Sequence, residues 1–140
     1  MNAKAVPTGS LLLILLAACA QQPARTSASA ASHHTQIDYA RYIVRPVGEF
    51  SFSSLYDWDS NDPNHAVVWV SPIEAYRLTL LGVCFDLQNA PTILLTSHNG
   101  QVNAGLDSII VRNDRCAIQA IDKLDAKAIK EARRVQRGGS

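Results

Sequence analysis

His65-Ala66-Val67-Val68-Trp69-Val70-Ser71, followed shortly by Tyr76-Arg77-Leu78-Thr79-Leu80, is the stretch that decides the fold. In an extended chain successive side chains point to opposite faces, so period-two patterning marks a strand. Ala66, Val68 and Val70 then share one face, with Val67 and Trp69 on the other. In the second segment Tyr76, Leu78 and Leu80 share a parity that runs on to Cys84, with Arg77 and Thr79 opposite.

Outward from this centre the same period recurs. Phe50-Ser51-Phe52 opens a candidate strand ending near Trp58, and 93–96 is a short apolar one. Residues 108–112 and 115–121 flank Asn113-Asp114, a two-residue loop whose side chains tolerate left-handed backbone, which predicts a hairpin. On its second strand Cys116, Ile118 and Ala120 point one way. The end of the chain differs. Residues 122–137 hold good helix formers and no breakers. Ile121, Leu124, Ala128, Ala132 and Val135 recur near helical spacing, opposite Lys123, Lys127, Lys130, Arg134 and Arg137. Asp122 or Asp125 caps the start, and Gly138-Gly139 stops it. The expectation is a mainly β domain: a small antiparallel sheet or partly open barrel of five to six strands, with one C-terminal α-helix. The β domain covers 37–124, and a basic helix and tail cover 125–140.

The N-terminal region carries an address. Lys4, the apolar run from Leu11 and the small-residue exit Ala17-Ala18 predict a signal peptide over 1–18. The run is shorter than the roughly 20 residues that span a bilayer. Leu16-Ala17-Ala18-Cys19 looks like a lipobox, which makes Cys19 the lipidation site. Two or more acyl chains anchor a protein stably where one does not. Residues 19–36, rich in Ala, Ser, Thr and Gln, read as the lipidated Cys and a tether averaging about 20 Å in span. Ala20 is not the Asp that retains lipoproteins in the inner membrane. The expected localisation is therefore the outer membrane, facing the periplasm, with the acyl chains as the membrane contact.

Charge and cysteines agree with export. The chain has 13 Lys and Arg against 12 Asp and Glu, and removal of Lys4 with the signal leaves the two signs balanced. A near-neutral chain argues against nucleic acid as a partner. The signs are segregated, with acids prevailing between Glu49 and Asp114 and bases from Lys123 onward. With Cys19 lipidated, Cys84 and Cys116 remain as an even pair in an oxidising compartment, read as a disulfide that closes a loop of about 33 residues. A reactive or metal-binding thiol pair is the rival, but there is no CxxC.

With the strands laid out, the chain resembles a family of small envelope lipoproteins of Gram-negative bacteria that is known only as a domain of unknown function. The resemblance rests on Val68-Trp69-Val70, Tyr76-x-Leu78-x-Leu80 leading into Cys84-x-x-Leu87, Asp107-x-Ile109-Ile110-Val111 and Arg115-Cys116-x-Ile118-x-x-Ile121. It covers roughly 47–124. It implies a compact, largely β domain with one disulfide, and no known activity.

Several constellations invite chemistry. Asp57, Asp59, Asn61 and Asp62 begin like a calcium loop, but Asp62 stands where the tight turn wants Gly, and Val68 where a bidentate Glu should close the shell. They remain weak metal candidates, the basis of an alternative reading as a small-ligand or divalent-ion binder using an acidic 57–62 loop. His33 and His34 lie in the tether, His65 opens a strand and His98 sits in a turn; none has the spacing of a zinc pair. Ser97, His98 and Asp107 are the residue types of a hydrolase triad without a nucleophile-elbow motif. Glu74, Asp86 and Asp107 have no spacing that pairs carboxylates. Tyr56, Trp58, Trp69 and Tyr76 suggest an aromatic platform, or simply packing. Lys127, Lys130, Arg134 and Arg137 form one basic stripe able to meet an anionic surface. The expected function is a non-enzymatic, outer-membrane-anchored binding or envelope-support module. It takes no cofactor, and another envelope protein or peptidoglycan is its candidate partner.

Overall fold

The computed structural model describes residues 36–139. The expected signal peptide over 1–18, the expected lipidation site Cys19, and His33 and His34 lie outside the described residues. The fold is mainly β, an antiparallel half-barrel with one C-terminal helix. Its strands are β1 (Ile43–Val47), β2 (Glu49–Ser51), β3 (Asp57–Asp62), β4 (His65–Ser71), β5 (Glu74–Leu80), β6 (Leu94–Leu95), β7 (Gln101–Asn103), β8 (Ser108–Val111) and β9 (Asp114–Leu124), followed by α1 (Ala126–Gly138). The main sheet runs β3-β4-β5-β9-β8-β6, and β1 joins it on β9. Residues 121–124 of β9 pair with both β5 and β1, while β8 holds the first part of the strand. A separate β2–β7 ladder pairs Phe50 with Val102.

Because β4 is apolar on both faces, with Ala66 and Val68 on one and Val67 and Trp69 on the other, the sheet can separate two cores. On the inner face Ala66, Val68, Tyr76, Leu78 and Leu80 pack with Phe50, Val102, Ile109, Ile118 and Ile121. The β2–β7 ladder therefore closes the open side of the half-barrel with Phe50, which stacks on Tyr76 at 4.2 Å. On the outer face Val67, Trp69, Ala75 and Leu124 are covered by Ile37, Tyr39, Ala126 and Ile129. The N-terminal 3-10 turn (Tyr39–Tyr42) and α1 thus act as one lid over the back of the sheet. Cys84 and Cys116 form a disulfide with their Cα atoms 5.7 Å apart, tying the loop after β5 to β9.

Four details depart from the sequence expectations. The hairpin loop is Arg112-Asn113, one position earlier than expected, since Val111 pairs with Asp114. Arg112 takes the left-handed backbone, at φ 53°. Register there is imposed by the pairing of Ile109 with Cys116, which buries Ile109. A bulge then changes the parity of β9: Leu80 pairs with Ile118, but Thr79 pairs with Ala120. One extra residue reverses which side chains face inward, so Ile121 joins the inner core and Ala120 is exposed. The strand runs on to Leu124, so Ile121 and Leu124 are strand residues rather than helical ones. Finally, Asp125, one of the two expected caps, accepts the Ala128 amide at 3.0 Å, but the apolar side of α1 is anchored by buried Ile129, whereas Val135 is 65 % exposed.

Candidate functional site

The 57–62 segment is a strand, not a loop, and its side chains separate. Asp57 and Asp59 pair with Trp69 and Val67, on the outer face. There they meet Arg133 of α1, whose guanidinium lies 3.5 Å from Asp57 and 3.7 Å from Asp59. Arg133 also donates to the Tyr39 hydroxyl at 2.9 Å, and Tyr39 in turn donates to Asp59. Its guanidinium sits 5.1 Å from the ring centre of Trp69. Burial, then the Asp59 carboxylate, drives the Tyr39 hydroxyl far above its ordinary pKa, so it serves as a neutral donor. Asn61 donates to the Ile37 carbonyl. Asp62 accepts from His65 Nδ1 at 2.8 and 2.9 Å and from the Asn64 amide at 2.8 Å. Partial burial works against its ionisation, but the Asn64 and His65 hydrogen bonds prevail and hold the Asp62 carboxyl below the usual range. The four candidate metal ligands are thus committed to separate partners: Asp57 and Asp59 to Arg133, Asn61 to Ile37 and Asp62 to His65 and Asn64. Among the described residues, no three His, Cys, Asp or Glu side chains converge on a point able to hold an ion.

Arg133 was absent from the expected basic stripe because it lies on the inward side. Its i, i+3, i+7 relation to Ala126 and Ile129 was the available signal. Arg133→Ala should lower stability by about 1–2 kcal/mol, combining a partly buried cation–π contact with half-exposed ion pairs. Urea unfolding checks this; a loss under about 0.5 kcal/mol would mean that the lid is held by its apolar contacts alone.

A cavity of about 100 Å³ opens between residues 38–40 and the β3–β4 hairpin, lined among others by Tyr39, Ser60, Asp62, His65 and Arg77. Arg77 also pairs with Asp122 at 3.6 Å. Ligand pockets for metabolites usually start near 300 Å³, so the space suits a small ion or a few waters.

Ser97, His98 and Asp107 come only partly together. Asp107 is fully buried and accepts from His98 Nδ1, Thr96 Oγ1 and the Asn103 amide, each at 2.8 Å, and from Asn103 Nδ2 at 3.3 Å. Burial opposes its ionisation, but these donors, the Asn103 amide foremost, keep the carboxyl below its usual range. The left-handed Asn99 and Gly100 turn the chain so that His98 pairs with Gln101. The His98 side chain is 57 % exposed, so its ring stands at the surface with one nitrogen held by a carboxylate. That is the arrangement of a positioned base. Ser97 is exposed, and among the described residues it makes no hydrogen bond to His98. The geometry is therefore a carboxylate–imidazole pair that organises the 96–108 turn. Glu74 and Asp86 lie apart from it, facing Lys123 at 3.9 Å and Arg112 at 3.8 Å.

The aromatic platform does not form. Trp69 and Tyr76 are buried in opposite cores, Trp58 packs on the inner one, and Tyr56 is exposed. Pairing positions explain this, because Trp58 and Trp69 have opposite parity across β3 and β4. The basic stripe does form. Lys127, Lys130, Arg134 and Arg137 are all exposed on α1. Arg134 pairs with Glu131 at 2.8 Å, and among the described residues the other three make no ion pair.

A family model matches residues 3–140, and the chain belongs to that family, DUF6491, a family of unknown function. No curated protein and no solved structure matches.

Proposed function

We propose that this member of DUF6491 is a non-enzymatic lipoprotein, anchored through Cys19 in the outer membrane and facing the periplasm, that binds another envelope component through α1. The observation that carries the binding reading is the division of labour on the helix. Arg133 faces inward and fixes α1 to β3 and Trp69, while Lys127, Lys130, Arg134 and Arg137 stay outside on one stripe. A docked helix presents its cations in a set geometry, so an anionic partner, peptidoglycan carboxylate or the acidic face of an envelope protein, meets them together. Membrane anchoring raises the effective concentration of that partner, so modest intrinsic affinity is enough.

The test compares the full chain with a variant in which Lys127, Lys130, Arg134 and Arg137 are all changed to Gln. Co-sedimentation with purified sacculi and capture from cross-linked envelopes are the two readouts. Cations beside an anionic surface contribute about 1 kcal/mol each, so loss of four should weaken binding by up to about a thousandfold. Thermal stability should be unchanged, since the four side chains are exposed. Undiminished binding in both assays would remove α1 as the contact.

A further inference from the structure

The loop after β5 is unusual for the kind of residue it shows to water. Leu81, Val83 and Phe85 are 68, 52 and 71 % exposed, while Cys84 between them is 1 % exposed. Gly82, at φ 79°, lets the chain turn there. Three large apolar side chains within five residues form a clustered patch rather than the scattered exposure normal on a surface. The loop is also held rigidly. The Leu80, Leu81 and Cys84 amides donate to the Asn64, Ala117 and Pro63 carbonyls at 2.8, 2.9 and 2.8 Å, Asn64 Nδ2 donates to the Gly82 carbonyl at 2.8 Å, and the disulfide pins its centre. The apolar side chains are thus splayed outward from a fixed backbone.

The second observation is where the chain enters the fold. Gln36, the first described residue, donates to the Asn61 carbonyl at 3.0 Å, and Gln88, just beyond the loop, donates to the same carbonyl at 2.8 Å. Asn61 lies near the end of β3, just before Asp62, close in sequence to Pro63 and Asn64, the residues that hold the 81–85 loop. The N-terminal segment therefore arrives at the end of the half-barrel that carries Leu81, Val83 and Phe85. The turn at the opposite end, between β4 and β5, exposes Ile73.

We propose that the 81–85 loop is a lipid-contacting ridge, whose Leu81, Val83 and Phe85 dip into the surface of the bilayer that holds the anchor. This rests on the reading of Cys19 as the lipidated residue. Cys19 lies 17 positions before Gln36 in the sequence, and Gln36 enters the fold at the end that carries the ridge, so an anchor on Cys19 tethers the domain by that end. Because the anchor supplies the attachment, the ridge needs only a weak apolar contact to set the orientation of the domain. With the entry end down, the domain stands on the membrane rather than tumbling over it.

The experiment places a reporter at each end of the fold in the lipidated full-length protein. Phe85→Trp and Ile73→Trp are reconstituted into vesicles of phosphatidylethanolamine and phosphatidylglycerol, with and without brominated acyl chains, and compared with wild type. Flotation is recorded on the same samples. The expected result is that all three proteins float and that bromine quenches the added Phe85→Trp emission by about twofold, while Ile73→Trp adds no quenching beyond the native Trp58 and Trp69. Proteins that float with no added quenching at Phe85→Trp would overturn the ridge and leave the anchor standing; a protein partner then covers the loop. Failure to float would overturn the anchor, and the ridge with it.

Discussion

Reduction of the Cys84–Cys116 bridge, or replacement of both residues by Ser, is expected to cost about 3–4 kcal/mol of stability. The two cysteines are separated by 32 positions. Between them lie only β6, β7 and β8, of two, three and four residues, and a short 3-10 turn. Elements that short gain little from local propensity, so the loop they form depends on closure. With the bridge broken, the unfolded chain recovers the entropy of that loop, and the folded chain loses the tie between the 81–85 loop and β9. Urea midpoints with and without reductant measure the change. Hydrogen exchange should show protection falling first in 93–111, while β4 and β5 keep theirs. A reduced protein with the oxidised midpoint would mean that the sheet alone holds this region.

Asp107→Ala is expected to cost about 2–4 kcal/mol, because it strands donors that a buried carboxylate now satisfies. Four hydrogen bonds converge on a side chain with no exposure. Thr96 links the site onward, since its hydroxyl donates to Asp107 and accepts the Ser108 amide at 2.9 Å. Asp107→Asn should be milder at pH 7, keeping one acceptor oxygen while placing an amide against the Asn103 donors. The pH dependence has a definite sign. The folded carboxyl titrates below its unfolded value, so its contribution is full above the ordinary carboxylate range, about pH 4. It fades as pH falls through the lowered folded value. Asp62 adds a dependence of the same sign. The gap between wild type and Asp107→Asn should therefore narrow from pH 7 to pH 3, and an equal gap at both would contradict the ionised, hydrogen-bonded carboxylate.

How far the sequence could be read follows from where its apolar residues fall. β4 and β5 were legible because Ala66, Val68, Leu78 and Leu80 alternate without interruption, and the cysteine pair because Cys84 and Cys116 fall on the parity of bulky apolar residues. β3 was not legible as a strand. Its outward positions carry Asp57 and Asp59, whose partner Arg133 lies 76 positions from Asp57, and no local pattern announces such a pairing. Pattern reading also continued the helix backward through Ile121 and Leu124, since spacings of three and four suit a helix as well as a bulged strand. β1, β2 and β7 are short and flanked by Gly or Pro, too brief for a periodic signal. Of the site, the charges on α1 were visible because a solvated helical face needs no partner. The Asp107 cluster showed only its residue types, its geometry depending on a turn at Asn99-Gly100.

The anchor on Cys19 is the claim on which the functional account depends most. Density-gradient fractionation of envelopes, with mass analysis of the N-terminal peptide, tests it directly. The account predicts a mature chain beginning at a lipid-modified Cys19, recovered with the outer membrane and released to the soluble periplasm by Cys19→Ala. An unmodified Cys19 in a chain still carrying residues 1–18, recovered away from the envelope, would contradict it.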